Sequence, residues 1–123
     1  MGAWGYEVLS NDRALDTMYD LIDSKNLKED IEKLLEYGDR EEMVLACEIV
    51  DISINGIDKK ILGNLYKYED FFESIQNKSM IDLKLKALEK IRYIQRYDNG
   101  WIDRVKEQRA NLLNEIENRL MLD

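Results

Sequence analysis

Most of the chain alternates apolar and polar positions at helical spacing, but from Asp39 to Ile54, DREEMVLACEIVDISI, apolar residues run almost all the way round. A helix of that pattern has little solvent face to offer and belongs at the centre of a fold. Asp39, with Glu42 three residues on, has the spacing of a capping box, and Asn55-Gly56 supplies a stop. Past the first turn the polar side chains are Glu48, Asp51 and Ser53. Val44, Glu48, Asp51 and Asn55 fall on one narrow strip.

The other segments read as amphipathic helices that could pack around it. Ser10 and Asn11 offer N-caps for a helix over about Asp12 to Asp23, whose apolar stripe is Ala14, Leu15, Met18, Leu21 and Ile22 and whose other face carries Asp12, Asp16, Asp20 and Asp23. Asn26 with Glu29 predicts a second capping box, for a short helix on Leu27, Ile31, Leu34 and Leu35 that Gly38 ends. Its outer face, Glu29, Asp30, Glu32 and Glu36, is again acidic, and the very short turn to the central helix predicts the two as antiparallel neighbours. Over 57–76, Ile57, Ile61, Leu65, Tyr68, Phe72 and Ile75 fit a helical stripe that Gly63-Asn64 can break, so one helix or two stays open. Ser79 with Asp82 is a capping pair for a long helix to about Tyr97, with Ile81, Leu85, Leu88, Ile91 and Ile94 as its apolar set. Lys84, Lys86, Lys90, Arg92 and Arg96 make it the basic helix of the chain.

After a turn at Asp98-Asn99-Gly100, Trp101 opens a last helix with Ile102, Val105, Leu112, Leu113, Ile116 and Leu120 on one arc. Arg109 projects into the middle of that arc. A guanidinium there should be paired inside the fold, and Glu48 and Asp51 on the inner helix are the expected partners. The expectation is an all-α, single-domain bundle, residues 1–123, of five or six helices around the central helix at about 39–55.

Charge narrows the function classes. With 45% hydrophobic and 36% charged residues the chain suits a globular protein rather than a disordered one. Its net charge of −8 argues against direct binding of nucleic acid or of an anionic membrane. The charge is segregated: residues 1–58 carry 15 acids and 5 bases, residues 59–123 carry 11 acids and 13 bases. No apolar run reaches membrane-spanning length, and no basic segment followed by an apolar run marks a secretory signal. The single cysteine, Cys47, sits in the apolar helix, reads as a small buried hydrophobe, and points to a reducing, cytoplasmic setting.

The opening Met1-Gly2-Ala3-Trp4-Gly5, then Asn11-Asp12 and Ala14-Leu15-Asp16, resembles the start of a family of small bacterial and phage-borne proteins catalogued as a domain of unknown function. Ala46, Glu48, Ile49, Val50 and Gly56 echo that family's Ala-x-Glu-Ile-Val segment, and Ala87-Leu88-Glu89 and the tryptophan-bearing last helix are similar as well. Leu9 departs from it, standing where an aromatic is usual. The resemblance implies no reaction.

Catalytic chemistry has little to stand on. The chain has no histidine, no Gly-rich phosphate loop and no Ser-centred elbow, so no catalytic residue and no cofactor is expected. The alternative is a small enzyme or a divalent-metal protein in which Asp12, Asp16 and Asp20 converge with Glu48 and Asp51 on Mg²⁺ or Mn²⁺; a solvated acidic face and a buried Arg–acid pair account for the same residues, and no metal is expected. Trp4 and Trp101 read as structural aromatics. The favoured function is a non-enzymatic acidic protein, monomer or homodimer, that presents Asp12, Asp16, Asp20, Asp23, Glu29, Asp30, Glu32 and Glu36 to a basic protein. That partner would handle nucleic acid, as a nuclease or CRISPR-type effector does, and the protein would serve as a phage anti-defence (anti-CRISPR) inhibitor or a toxin-neutralising immunity protein.

Overall fold

The computed structural model describes residues 6–58, 61, 68–76, 78–98, 101 and 103–122. Its α-helices are α1 (Asp12–Ile22), α2 (Leu27–Tyr37), α3 (Arg40–Asn55), α4 (Glu69–Ile75), α5 (Lys84–Tyr97) and α6 (Asp103–Leu120), with a 3-10 turn at Ile81–Leu83 before α5. There is no β-strand among the described residues. The chain is an all-α domain organised on α3, against which each of the other described helices packs.

The ends of α3 are set as its sequence predicts. The Asp39 side chain accepts from the Glu42 N–H and the Glu42 side chain accepts from the Asp39 N–H, closing the capping box. Gly56, at φ +90°, terminates the helix in a conformation that a side chain would strain. Between the caps every residue from Val44 to Ser53 is buried, including Glu48 and Asp51. Cys47 is among them, its thiol donating to the Ala87 carbonyl at 3.3 Å, and burial pushes the thiol pKa up. A cysteine so placed fills space rather than reacts.

Repeated ion pairs give the directions of the outer helices. Lys28 with Asp82 and Glu32 with Lys86 share one sequence offset, 54, so α2 and the start of α5 run parallel. Arg92 meets Glu117 and Gln95 meets Asn114, a pattern with constant sum that makes α5 and α6 an antiparallel hairpin. Glu41 with Arg109 and Asp51 with Arg119 share an offset of 68, so α3 and α6 lie parallel and in register.

Several local expectations are corrected. Asn26 caps α2 without a side-chain hydrogen bond; its N–H instead donates to the Ser24 hydroxyl. Ser79 and Asp82 form no cap, because the chain enters α5 through the 3-10 turn and Asp82 is taken by Lys28. That entry also leaves Ile81 and Leu85 outside the core, at 57% and 80% exposure, while Leu83, Ala87, Leu88, Ile91 and Ile94 are buried. Leu85 sits about 120° around the helix from Ile91, beyond the edge of the buried stripe. In 57–76, residues 56–58 are not helical and α4 begins at Glu69. Of the stripe predicted there, Ile61, Tyr68, Phe72 and Ile75 are buried. Trp4, Leu65 and Ile102 lie outside the described residues.

Gly38 illustrates how tightly α2 turns into α3. Its φ of −68° would suit any residue, but a Cβ there would stand 2.6 Å from the Leu34 carbonyl oxygen and 3.0 Å from Glu42 Cβ. Because the obstacle is backbone, Gly38→Ala should force the turn open and cost about 1–3 kcal/mol, as overpacking does. Chemical denaturation of the variant checks this, and an unshifted midpoint would show that the turn relaxes freely.

Candidate functional site

Burying α3 on all sides forces its charged residues to find partners within the protein, and α6 supplies them. Arg109 is 1% exposed. Its Nη2 donates to Glu41 Oε1 at 2.6 Å and Oε2 at 3.3 Å, its Nε to Asp98 Oδ2 at 3.3 Å and its Nη1 to the Tyr6 carbonyl at 3.1 Å. The guanidinium carbon lies 4.8 Å from the centre of the Trp101 ring, within cation–π range. One side chain thus joins the N-terminal segment, the first turn of α3 and the α5–α6 connection. Asp98 also faces Arg40 at 3.5 Å. Burial raises the Glu41 pKa, Arg109 and Arg40 oppose the rise, and the Asp98 charge adds to it.

The expected partnership of Arg109 with Glu48 or Asp51 is therefore corrected: all three are buried, but Arg109 is level with Glu41, and Asp51 belongs to Arg119. Arg119 Nε donates to Asp51 Oδ2 at 2.6 Å and its Nη2 to the Gly56 carbonyl at 2.5 Å, with Asp58 3.7 Å from Nη1. Asn55 Nδ2 joins this cluster, donating to Asp51 Oδ1 and to the Arg119 carbonyl. The signal was in the sequence: Glu41 and Asp51 are ten residues apart, as are Arg109 and Arg119, so two parallel helices can make both pairs about 15 Å apart.

Glu48 lies between these clusters and has neither. Among the described residues no N–H or hydroxyl reaches its carboxyl oxygens. Burial pushes its pKa well above the ordinary carboxylate value, the neighbouring Asp51 pushes the same way, and Arg119 opposes them without reversing the shift.

The acidic surface divides in two. On α2, Glu32 and Glu36 both pair with Lys86, which lowers the Glu36 pKa, Glu29 pairs with Lys33, and Asp30 accepts from Ser24. These four are largely committed to the protein's own cations and hydroxyls. On α1, Asp12, Asp16, Asp20 and Asp23 are exposed and have no basic partner among the described residues. At 100° per residue they occupy about an 80° arc, and Tyr19 stands about 20° outside its edge. Tyr19 is 60% exposed and rests edge-on against Tyr68, ring centres 6.5 Å apart. An aromatic anchored at the edge of the acidic stripe was not singled out by the sequence reading, although its spacing was available there.

The carboxylates proposed to converge on a metal do not come together. The α1 acids face outward, while Glu48 and Asp51 are sealed between α3 and α6. Among the described residues no group of three or more Asp, Glu, Cys or His side chains could hold a metal ion. Trp101 packs on Arg109 and, with Gln95, Asp98, Lys106, Leu113 and Asn114, lines a pocket of about 330 Å³ on the α5–α6 hairpin.

The chain belongs to the family described as Domain of unknown function (DUF4259), whose model matches residues 2–116. No curated protein and no solved structure matches it. The family assignment agrees with the resemblance carried by the opening residues and brings no activity with it.

Two expectations follow from the buried charges. Arg109→Met strands Glu41 and Asp98 and should cost about 3–5 kcal/mol, the penalty for removing one partner of a buried pair. Denaturant titration measures it, and a loss below about 1 kcal/mol would mean the carboxylates find other donors. For Glu48 the sign is opposite. Its folded pKa lies above the ordinary 4.5, so as pH rises past that value the unfolded chain releases a proton that the folded one retains, and stability falls. Glu48→Gln keeps the shape without titrating. It should gain stability relative to the parent as pH rises above about 4, and parallel stability–pH curves would show that the Glu48 pKa is not raised in the fold.

Proposed function

We propose that this is a non-enzymatic interaction protein that docks a basic protein surface onto the outer edge of α1. The observation that carries the reading is the exposed arc Asp12, Asp16, Asp20 and Asp23 with Tyr19 at its edge. Charge alone steers encounter; a half-exposed aromatic held in place by a neighbouring ring adds the kind of anchor on which binding energy concentrates. The α2 acids contribute to the field but are engaged with Lys86 and Lys33, so α1 is the contact edge and α2 its flank.

A partner that fits carries cations spaced to meet carboxylates on successive helical turns. Surfaces that hold nucleic-acid backbones have that character. Occupying such a surface on a nuclease or CRISPR-type effector would block it, which is the action of an anti-defence or immunity protein. No helix of the described residues is long and apolar enough to cross a membrane, and a free, buried Cys47 suits a reducing cytoplasm.

The test is binding to purified basic nucleic-acid-handling proteins, followed by association and dissociation rates across a salt series. Replacing Asp12, Asp16, Asp20 and Asp23 by lysine should lower the association rate on the order of tenfold or more, and Tyr19→Ala should chiefly speed dissociation. Binding that survives the four reversals, with helicity intact, would reduce the stripe to solvated surface.

A further inference from the structure

Nine large apolar side chains are exposed among the described residues, and eight of them fall on two faces. Ile81, Leu85, Tyr93, Tyr97, Met121 and Leu122 lie on or beside α5, and Tyr19 and Ile22 are on α1. The first set is one patch rather than scattered exposure. Lys84 Nζ donates to the Leu122 carbonyl at 2.8 Å and Arg92 Nη2 approaches Met121 Sδ at 3.5 Å, laying the end of α6 along α5. Beside it is an open groove of about 580 Å³ lined by Leu85, Leu88 and Tyr93 with Lys90, Arg92 and Arg96, and with Glu89 as the acid in its lining. Contiguous apolar surface rimmed by charge marks a place where another chain rests.

The two faces differ in sign and match in spacing. We propose that the α5 groove docks the α1 helix of a second copy of this chain, in a head-to-tail contact. With the helices antiparallel, Asp12 and Asp16, four residues apart, are level with Arg96 and Arg92, also four apart. Tyr19 and Ile22, three apart, fall within one residue, about 1.5 Å along the axis, of Leu88 and Leu85, also three apart. Four positions thus meet to within one residue of a common register, two as apolar pairs and two as opposite charges, with Arg92 shared between Asp16 and its own Glu117. Packing α5 on α5 of a second copy would instead set Lys90, Arg92 and Arg96 against themselves, and like charges across an interface disfavour that arrangement. α1 and α5 each pack on α3, so both faces stay available in one molecule. A contact between different faces is not self-limiting. It closes into a ring if the rotation allows and otherwise extends as short chains.

The contact does not rest on the foreign partner proposed above, since it is read on the purified protein. A basic partner taking α1 would compete with it, and either reading can fail while the other stands.

Sedimentation of the purified protein over a concentration series tests it. The mean mass should rise above the monomer at low salt and return to it at about 0.5 M salt, where charges are screened within about 5 Å. Two variants, each checked for helicity, then separate the faces: Leu85→Glu with Arg96→Glu removes the groove, and Asp16→Asn, Tyr19→Ala and Asp20→Asn together remove the edge. Each should be monomeric by itself, whereas an equimolar mixture, keeping one intact face from each, should form a 1:1 dimer that grows no further. A parent protein monomeric at low salt up to about 1 mM would overturn the proposal. So would an edge variant that associates as well as the parent, the result an α5-on-α5 dimer would give.

Discussion

A helix buried on every side can carry charge only where another element brings the opposite charge to the same height. α3 carries Glu41, Glu48 and Asp51, and α6, running parallel to it, answers with Arg109 and Arg119. Several described segments converge on that answer. The α5–α6 connection brings Asp98 and Trp101 to Arg109, the N-terminal segment ends its approach with the Tyr6 carbonyl on the same guanidinium, and the exit from α3 at Gly56 is held by Arg119. Arginine suits both places, since a planar fork with five donors can serve several acceptors at once.

The same economy explains the surface. A net charge of −8 on a small domain would spread repulsion widely if the acids were unpaired. Instead α5 lies beside α2, and Lys86 alone engages both Glu32 and Glu36. Of the acids on the first two helical faces, those left without a partner among the described residues are Asp12, Asp16, Asp20 and Asp23, while the outer side of α5 keeps cations and apolar side chains together. Segregation of charge in the sequence therefore becomes opposite faces in the fold, on helices held apart by α3.

The central helix, its capping box, the glycine stop and the all-α class were legible because each rests on local spacing. So were the acidic character of α1 and the burial of Arg109, since apolar periodicity defines the inward arc. What was not read was which acid sits at which height, although the matched ten-residue spacings carried it. Glu48 and Asp51 look like the natural partners of Arg109 on a helical wheel, which shows rotation but not axial register. The 3-10 entry to α5 was invisible: Ser79 and Asp82 have the spacing of a cap, and a cross-helix pair with Lys28 takes precedence over it. Tyr19 was missed because an aromatic at the edge of an acidic stripe looks like part of the neighbouring apolar face until its exposure is known.

Register also gives the buried pairs a reason to exist. The apolar side chains between α3 and α6, Leu112, Leu113, Ile116 and Leu120 among them, would pack almost as well if α6 slid by one turn, about 5.4 Å. Two arginines spaced as Glu41 and Asp51 are spaced make any such slide leave both pairs unmatched at once, with each stranded buried charge costing several kcal/mol. The apolar contacts hold the two helices together, and the charge pattern selects the one height at which they rest.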